Sequence, residues 1–342
     1  MRVLVLGGTI FLSRTVAEEA VRRGHEVVCA ARGVSGAIPE GARLVRVDRD
    51  APDALDALRG ERFDAVVDVA AMSYRWVADA LSVLGADAGH WTFVSTVNVY
   101  ADTATPGQRP GAPLLEPREA EGRKDDPNAV DPTLYGAIKV AAENAVRDTM
   151  GDRAFVVRPG LVVGPGDVTD RFGYWPARLS RGGRALVPDV PDQPIQYVDV
   201  RDLAAWIVDA AEQRLGGVFD AVGELRPLPR LLEEIAELAG GGAELVPVAP
   251  ERLLELGVRP WGGPRSLPLW APVTHYGVVS HDPEPARAAG LRARPLADTV
   301  AGALTYERAL GLDRPRRAGL TMAEENEVCS GLDLPSSPPP NG

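Results

Sequence analysis

Lysine and cysteine are nearly missing from this chain of 342 residues. It has two cysteines, Cys29 and Cys329, and two lysines, Lys124 and Lys139, so 35 of its 37 cationic side chains are arginine. The cysteines lie far apart in sequence and form no CxxC pair, which argues against a disulfide framework and fits a reduced, cytoplasmic setting. Histidine is also scarce, and His25, His90, His275 and His281 share no ligand spacing, so no metal is expected. Positive charge is in deficit: 48 acidic against 37 basic residues give a formal charge of −11. With no run of five or more Lys/Arg, neither nucleic acid nor an anionic membrane is an expected partner. Apolar runs are short. The first, MRVLVLGGTIFL, is broken at once by glycines and lacks a cleavage-type ending, and no segment approaches the ~18 apolar residues of a membrane span. What remains is ordinary globular composition, 45% hydrophobic and 25% charged, in a chain long enough for two modules.

Short β-branched runs alternate with amphipathic stretches through the first half, the pattern of a parallel sheet with crossover helices. Strands are predicted at 2–6, 26–30, 43–47, 65–69, 91–95 and 155–158, with helices at 14–23, 53–58, 74–84 and 132–150. The expected fold is α/β, a Rossmann-type doubly wound parallel sheet over residues 1–165. A strand at 196–200 and a helix at 201–212 suggest that a segment of about 193–225 returns to it. Proline, glycine and aromatic residues punctuate 166–192 and 226–320, read as a smaller C-terminal substrate-binding domain. The Pro/Ser/Gly-rich end, 330–342, reads as a disordered tail.

Strand, glycine turn and helix follow one another at Gly7-Gly8-Thr9-Ile10-Phe11-Leu12-Ser13. A helix N-terminus presents free amides to a pyrophosphate, and glycines let the backbone approach it. The second strand ends in Ala31-Arg32 and carries no carboxylate for a ribose 2′-hydroxyl. A guanidinium there suits a 2′-phosphate, so NADP(H) is preferred over NAD(H). Asp48, after the third strand, is placed to accept from an adenine amino group, although an Asp capping the next turn would look the same. Thr9, Ile10, Phe11, Leu12, Arg49, Val69, Ala70, Ala71, Ser95, Pro159 and Gly160 complete the expected cofactor contacts in the loop and at strand ends.

Asp131-Pro132 marks a helix start, as N-cap and first helical residue. Tyr135 and Lys139, four apart, then share one helical face. An ammonium beside a phenol favours the phenolate and lets a group of ordinary pKa ~10 exchange a proton nearer neutrality. With two lysines and seven tyrosines in the chain, such spacing has a chance expectation of about 0.04. Thr96, at the end of the fifth strand, supplies a hydroxyl at the sheet edge where such folds bind ligands. Arg171, Tyr174 and Trp175 in RFGYWP are candidate substrate contacts, with ordinary packing as the alternative.

Together, the glycine loop, VSTVNVY, YGAIK followed by Glu143, and Arg158-Pro159-Gly160 with Gly164-Pro165 closely resemble the extended short-chain dehydrogenase/reductases, specifically the NAD-dependent epimerase/dehydratase family. The resemblance covers residues 1 to about 310. It implies Tyr135 as catalytic acid/base, Lys139 as its partner on the nicotinamide ribose, Thr96 as the catalytic Ser/Thr, Gly7 as the first loop glycine and Asp48 as the adenine contact. It makes a homodimer reasonable. Ile10 and Ser13 stand where the family has its second and third loop glycines. Val97 and Asn98 stand where its dehydratases carry an Asp-Glu pair, which argues against elimination. The expected function is therefore NAD(P)(H)-dependent ketone/alcohol oxidoreduction on a small or nucleotide-linked substrate. A sugar-nucleotide type epimerase with the same site is the nearest variant. A non-catalytic nicotinamide- or RNA-binding protein is the alternative of another class.

Overall fold

In a computed structural model, residues 1–70, 72–122 and 131–332 are described. The apolar runs of the first half become strands β1 (Arg2–Leu6), β2 (Glu26–Ala31), β3 (Arg43–Arg46), β4 (Ala65–Asp68), β5 (Trp91–Val94) and β6 (Ala154–Pro159). β7 (Gly217–Ala221), which the sequence reading did not single out, completes a seven-stranded parallel sheet in the order β7-β6-β5-β4-β1-β2-β3. β4, β5 and β6 are buried at every position, as expected of strands covered on both faces. The crossovers include α1 (Phe11–Arg22), α2 (Tyr74–Leu84), α3 (Pro132–Met150) and α4 (Val200–Gln213). Predicted helix 53–58 is reduced to a 3₁₀ turn at Asp56–Leu58.

The chain divides into two units. The first comprises Met1–Gly160, Val200–Gly223 and His281–Ala293. Of the predicted return segment 193–225, Gly217–Ala221 joins the sheet, whereas the predicted strand 196–200 is seen as Tyr197–Asp199 and pairs with Leu161–Val163 outside it. Its core includes Leu4, Val28, Leu81, Trp91 and Phe93. The second comprises Leu161–Asp199, Glu224–Ser280 and the segment from Arg294 onward, around a core that includes Phe172, Trp175, Leu231 and Leu267. Ser330 and Gly331, expected in the tail, close the helix Met322–Gly331; the remainder of the predicted tail, from 333, lies outside the described residues. Among the described residues, no helix is long and apolar enough to cross a membrane.

Candidate active site

The glycine loop joins β1 to α1 through two residues of positive φ, Gly7 at 133° and Gly8 at 98°. A side chain would be strained at either φ, and crowded as well. A Cβ on Gly7 would lie 3.1 Å from Ser13 Cβ and 3.2 Å from Val69 Cγ2, and one on Gly8 would lie 2.5 Å from Cys29 Sγ. Ser13 is small enough for its place. It is buried, and its hydroxyl donates to the Ile10 carbonyl at 2.8 Å. Ile10 is the N-cap of α1 in extended conformation, and its side chain is 40% exposed rather than folded over the loop. No side chain caps this helix, and no acidic residue lies in its first turn. Neither a cap nor a first-turn carboxylate therefore offsets its partial positive charge, and Phe11, at φ 41°, bends the backbone at the same point. A loop whose glycines are required and whose helix start is uncapped fits a pyrophosphate.

Arg32 follows β2 and is exposed, and its carbonyl accepts from Arg46 Nη1 at 3.2 Å. Two arginines thus sit at the carboxyl ends of the neighbouring strands β2 and β3. Asp48 is exposed, and its carboxylate accepts from the Asp50 amide at 3.1 Å, closing a local turn. Arg49, expected among cofactor contacts, is committed elsewhere. It grips Asp68 with two hydrogen bonds of 2.8 and 3.1 Å and donates to the Trp76 carbonyl. Ala71 lies outside the described residues.

Asp131 caps α3 by accepting from the Thr133 amide at 2.9 Å, and Pro132 is its first residue. One turn on, Gly136 allows α3 to touch the 3₁₀ turn Val97–Val99, for a Cβ there would fall on the Asn98 carbonyl oxygen. That contact brings Tyr135 beside the segment that starts at Thr96. No sequence motif in the reading above isolated Gly136; a glycine at the second place of YGAIK, inside a helix, was the available signal. Thr96 is buried and caps the turn, its Oγ1 accepting from the Asn98 amide at 3.2 Å. Tyr135 is half-buried, with the Lys139 ammonium 5.8 Å from its ring centroid.

Lys139 is 2% exposed, so it is not the surface partner of Glu143 that i,i+4 spacing alone would allow. Its Nζ donates to the carbonyls of Ala70, at 2.5 Å, and Val94, at 2.6 Å, and lies 4.8 Å from the Phe93 ring centroid. Burial pulls its pKa down to about 8, against the opposing pull of Asp68 and Glu143. Glu143 is itself buried. It is held by Arg158 at 2.6 and 3.0 Å and accepts from the Ser95 hydroxyl, so this Ser95 hydroxyl serves the interior. The chain of bonds continues: Arg158 donates to Tyr100 at 2.9 Å, Tyr100 donates to Asp220 at 2.7 Å, and His281 meets Asp220 at 3.2 Å. The sequence reading named neither Asp68 nor Asp220, because each acquires its role from a distant partner. Pro159 ends β6, and the Gly160 amide donates to the Ala221 carbonyl at 3.2 Å.

In the second unit, Tyr174 and Trp175 are 3% and 0% exposed, and the Trp175 indole donates to the Pro268 carbonyl at 2.9 Å. Both rings are core residues of that unit, the packing role weighed against substrate contact. Arg171 is half-buried and stacks over Trp261, 5.3 Å from its centroid. Among the described residues, no group of three His, Cys, Asp or Glu side chains is arranged to hold a metal.

Comparison with known proteins agrees with this fold. The chain is 31% identical over 239 residues to a 2′-dehydrokanamycin reductase of Streptomyces kanamyceticus, a match covering 67% of this chain and 63% of that protein. It thus spans less than two thirds of the relative's length. Among solved structures, Bordetella bronchiseptica WbmH in complex with NAD+ superposes with a TM-score of 0.65 at 20% identity, covering 91% of this chain and 99% of the other. UDP-glucuronic acid 4-epimerase from Bacillus cereus, in complex with NAD, gives 0.65 at 14% identity, again over 91% and 99%. Both share the Rossmann-type fold, and both are bound to a nicotinamide cofactor. Residues 3–221, which hold the glycine loop, the Thr96 turn and the Tyr135–Lys139 helix, match the NAD dependent epimerase/dehydratase family, and the chain belongs to it.

Proposed function

We propose that this protein is an NADP(H)-dependent ketone/alcohol oxidoreductase with Thr96, Tyr135 and Lys139 as its catalytic group. The observation that carries the reading is the buried Lys139 ammonium beside the Tyr135 ring, in a chain that otherwise places arginine at nearly every cationic position. The nicotinamide, when bound, supplies or accepts the hydride. The uncapped start of α1 and the Gly7-Gly8 turn would hold its pyrophosphate, and Arg32, with Arg46 beside it, would hold a 2′-phosphate. Tyr135 delivers the proton to the reacting oxygen in reduction and removes it in oxidation. Lys139 favours the phenolate electrostatically, and Thr96 orients the oxygen.

The name of the kanamycin-type relative favours reduction of a ketone on a carbohydrate over epimerisation. Epimerisation with the same site is the second reading, favoured by the family name. Elimination has no support, since Val97 is buried and apolar and Asn98 is a neutral amide. A binder without chemistry would have no use for Lys139 beside Tyr135. The cytoplasm is the proposed setting and a homodimer the proposed assembly. Titrating the protein with NADPH and NADH in parallel, by nicotinamide fluorescence, tests the reading. Tighter binding of NADPH is expected; binding of neither overturns it.

A further inference from the structure

Lys139 is flanked by two buried carboxylates, each carrying its own arginine. The pairs are Glu143 with Arg158 and Asp68 with Arg49. The second pair has no part in the chemistry described above, yet Asp68 is fully buried and Arg49 largely so, their side chains 0% and 9% exposed. Burying such a pair costs desolvation that its mutual attraction barely offsets, so its retention calls for a use other than stability. Its hydrogen bonds show where it leads. Asp68 Oδ1, besides accepting from Arg49, accepts from the Ala70 amide at 2.9 Å, and the Ala70 carbonyl receives the Lys139 ammonium at 2.5 Å.

We propose that Arg49 and Asp68 form a positioning unit for Lys139: Asp68 fixes Ala70 as an acceptor of the ammonium and holds it charged, while Arg49 fixes Asp68 and limits how strongly that charge is felt. The inference rests on the reading of Lys139 as the partner of Tyr135, and it names which residues set that amine's state. The charges facing Lys139 are few: Asp68 at the end of β4, Arg49 after β3, Glu143 one turn on within α3 and Arg158 behind it on β6, with the Phe93 ring on β5 and Tyr135 on its own helix. Asp68 is the strongest of these in favouring the ammonium, and Arg49 opposes it. One ion pair therefore acts on one amine with two signs.

The scarcity of lysine makes this measurable. With ¹³C-lysine labelling, the full chain has two side-chain signals, and Lys124→Arg assigns them. The titration midpoint of the Lys139 Cε resonance is then followed with neither cofactor nor substrate present. Asp68→Asn, which keeps shape and removes charge, is expected to lower the midpoint by about one pH unit or more, and Arg49→Met to raise it by a smaller amount. General loosening of the fold would move both variants the same way, toward the ordinary lysine value. Shifts of the same sign, or an unmoved midpoint in either folded variant, overturn the proposal. Arg49→Gln, which keeps an amide donor for Asp68, stands in if Arg49→Met or Asp68→Asn does not fold, with a rise expected and no change or a fall contrary. Because the readout is the amine itself, loss of the hydride-transfer reading would show as absent nicotinamide binding while these shifts persisted.

Discussion

Both units bury arginine–carboxylate pairs, but they put them to different ends. In the second unit, Arg178 holds Glu325 with side chains 3% and 2% exposed, and Glu325 also accepts from the Leu186 amide at 3.0 Å. Glu307 takes Arg314 and Arg316 at 3.0 and 2.9 Å, and Arg314 reaches on to Asp170. The bonds from Glu325 to Arg178 and Leu186 and from Arg314 to Asp170 join residues more than a hundred positions apart and tie the end of the chain to the body of that unit. In the first unit, the pairs Glu143–Arg158 and Asp68–Arg49 enclose an amine that can lose its proton. The same interaction is a fastener in one place and a source of local potential in the other. Location relative to a titratable group decides which, not strength.

Substitutions separate the two uses. The largest effect is expected at the group the potential serves: Tyr135→Phe should lower turnover by roughly 10²- to 10⁴-fold while NADPH binding, followed by fluorescence, stays near normal. Full turnover by this variant would remove Tyr135 from the chemistry. Next come the carboxylates. Glu143→Gln leaves Arg158 buried beside a neutral partner, and Glu325→Gln does the same to Arg178. Each should cost about 3–5 kcal/mol in urea unfolding. Only the first should also lower the Lys139 midpoint, and equal shifts from both would erase the distinction drawn here. Arg32→Ala should weaken NADPH binding by roughly ten- to a hundredfold, the worth of about 1.5–3 kcal/mol for a hydrogen bond to a charged group, and leave NADH unchanged. A parallel loss for both nucleotides would place Arg32 outside any 2′-phosphate site.

The pH dependence of stability gives a smaller effect of fixed sign. Lys139 holds its proton up to about pH 8 when folded but to near 10.5 when unfolded. Between those values the unfolded chain binds the extra proton, so this residue's contribution to stability rises with pH across that window. Comparing urea midpoints of the protein and of Lys139→Met at pH 8 and pH 10 isolates it; an unchanged difference between the two would contradict it. The smallest effect concerns Cys29, whose thiol is pushed up to about 11 by burial. It should stay unreactive to a thiol reagent at pH 7 until the chain is unfolded.

The sequence made the sheet legible where its signals were local. Continuous β-branched runs marked six of the seven strands, and Asp131-Pro132 marked the start of α3 in register with its cap. The seventh strand, Gly217–Ala221, escaped because its first three positions are exposed or only partly buried, which blurs its pattern. Of the candidate site, Tyr135 and Lys139 were visible from their spacing against a lysine-poor background. The fates of Arg49 and Asp68 were not, since nothing local to either names a partner 19 residues away. Asp220 is harder still, meeting Tyr100 across 120 residues. Asp48 is the reverse case, where both a ligand contact and a turn cap fitted the residue and its bond to Asp50 supplies the cap.

The Gly136 contact has a mechanical consequence. Most neighbouring elements are spaced by side chains, whose torsions yield as temperature rises. Here α3 meets the Val97–Val99 turn backbone to backbone, at the carbonyl of Asn98, with no rotatable bond between them. The gap between the helix that carries Tyr135 and the turn that begins at Thr96 is therefore set by covalent geometry and van der Waals radii. No side-chain rotamer change can open this joint, and the spacing of the two hydroxyl-bearing residues should hold on warming until the helix itself detaches.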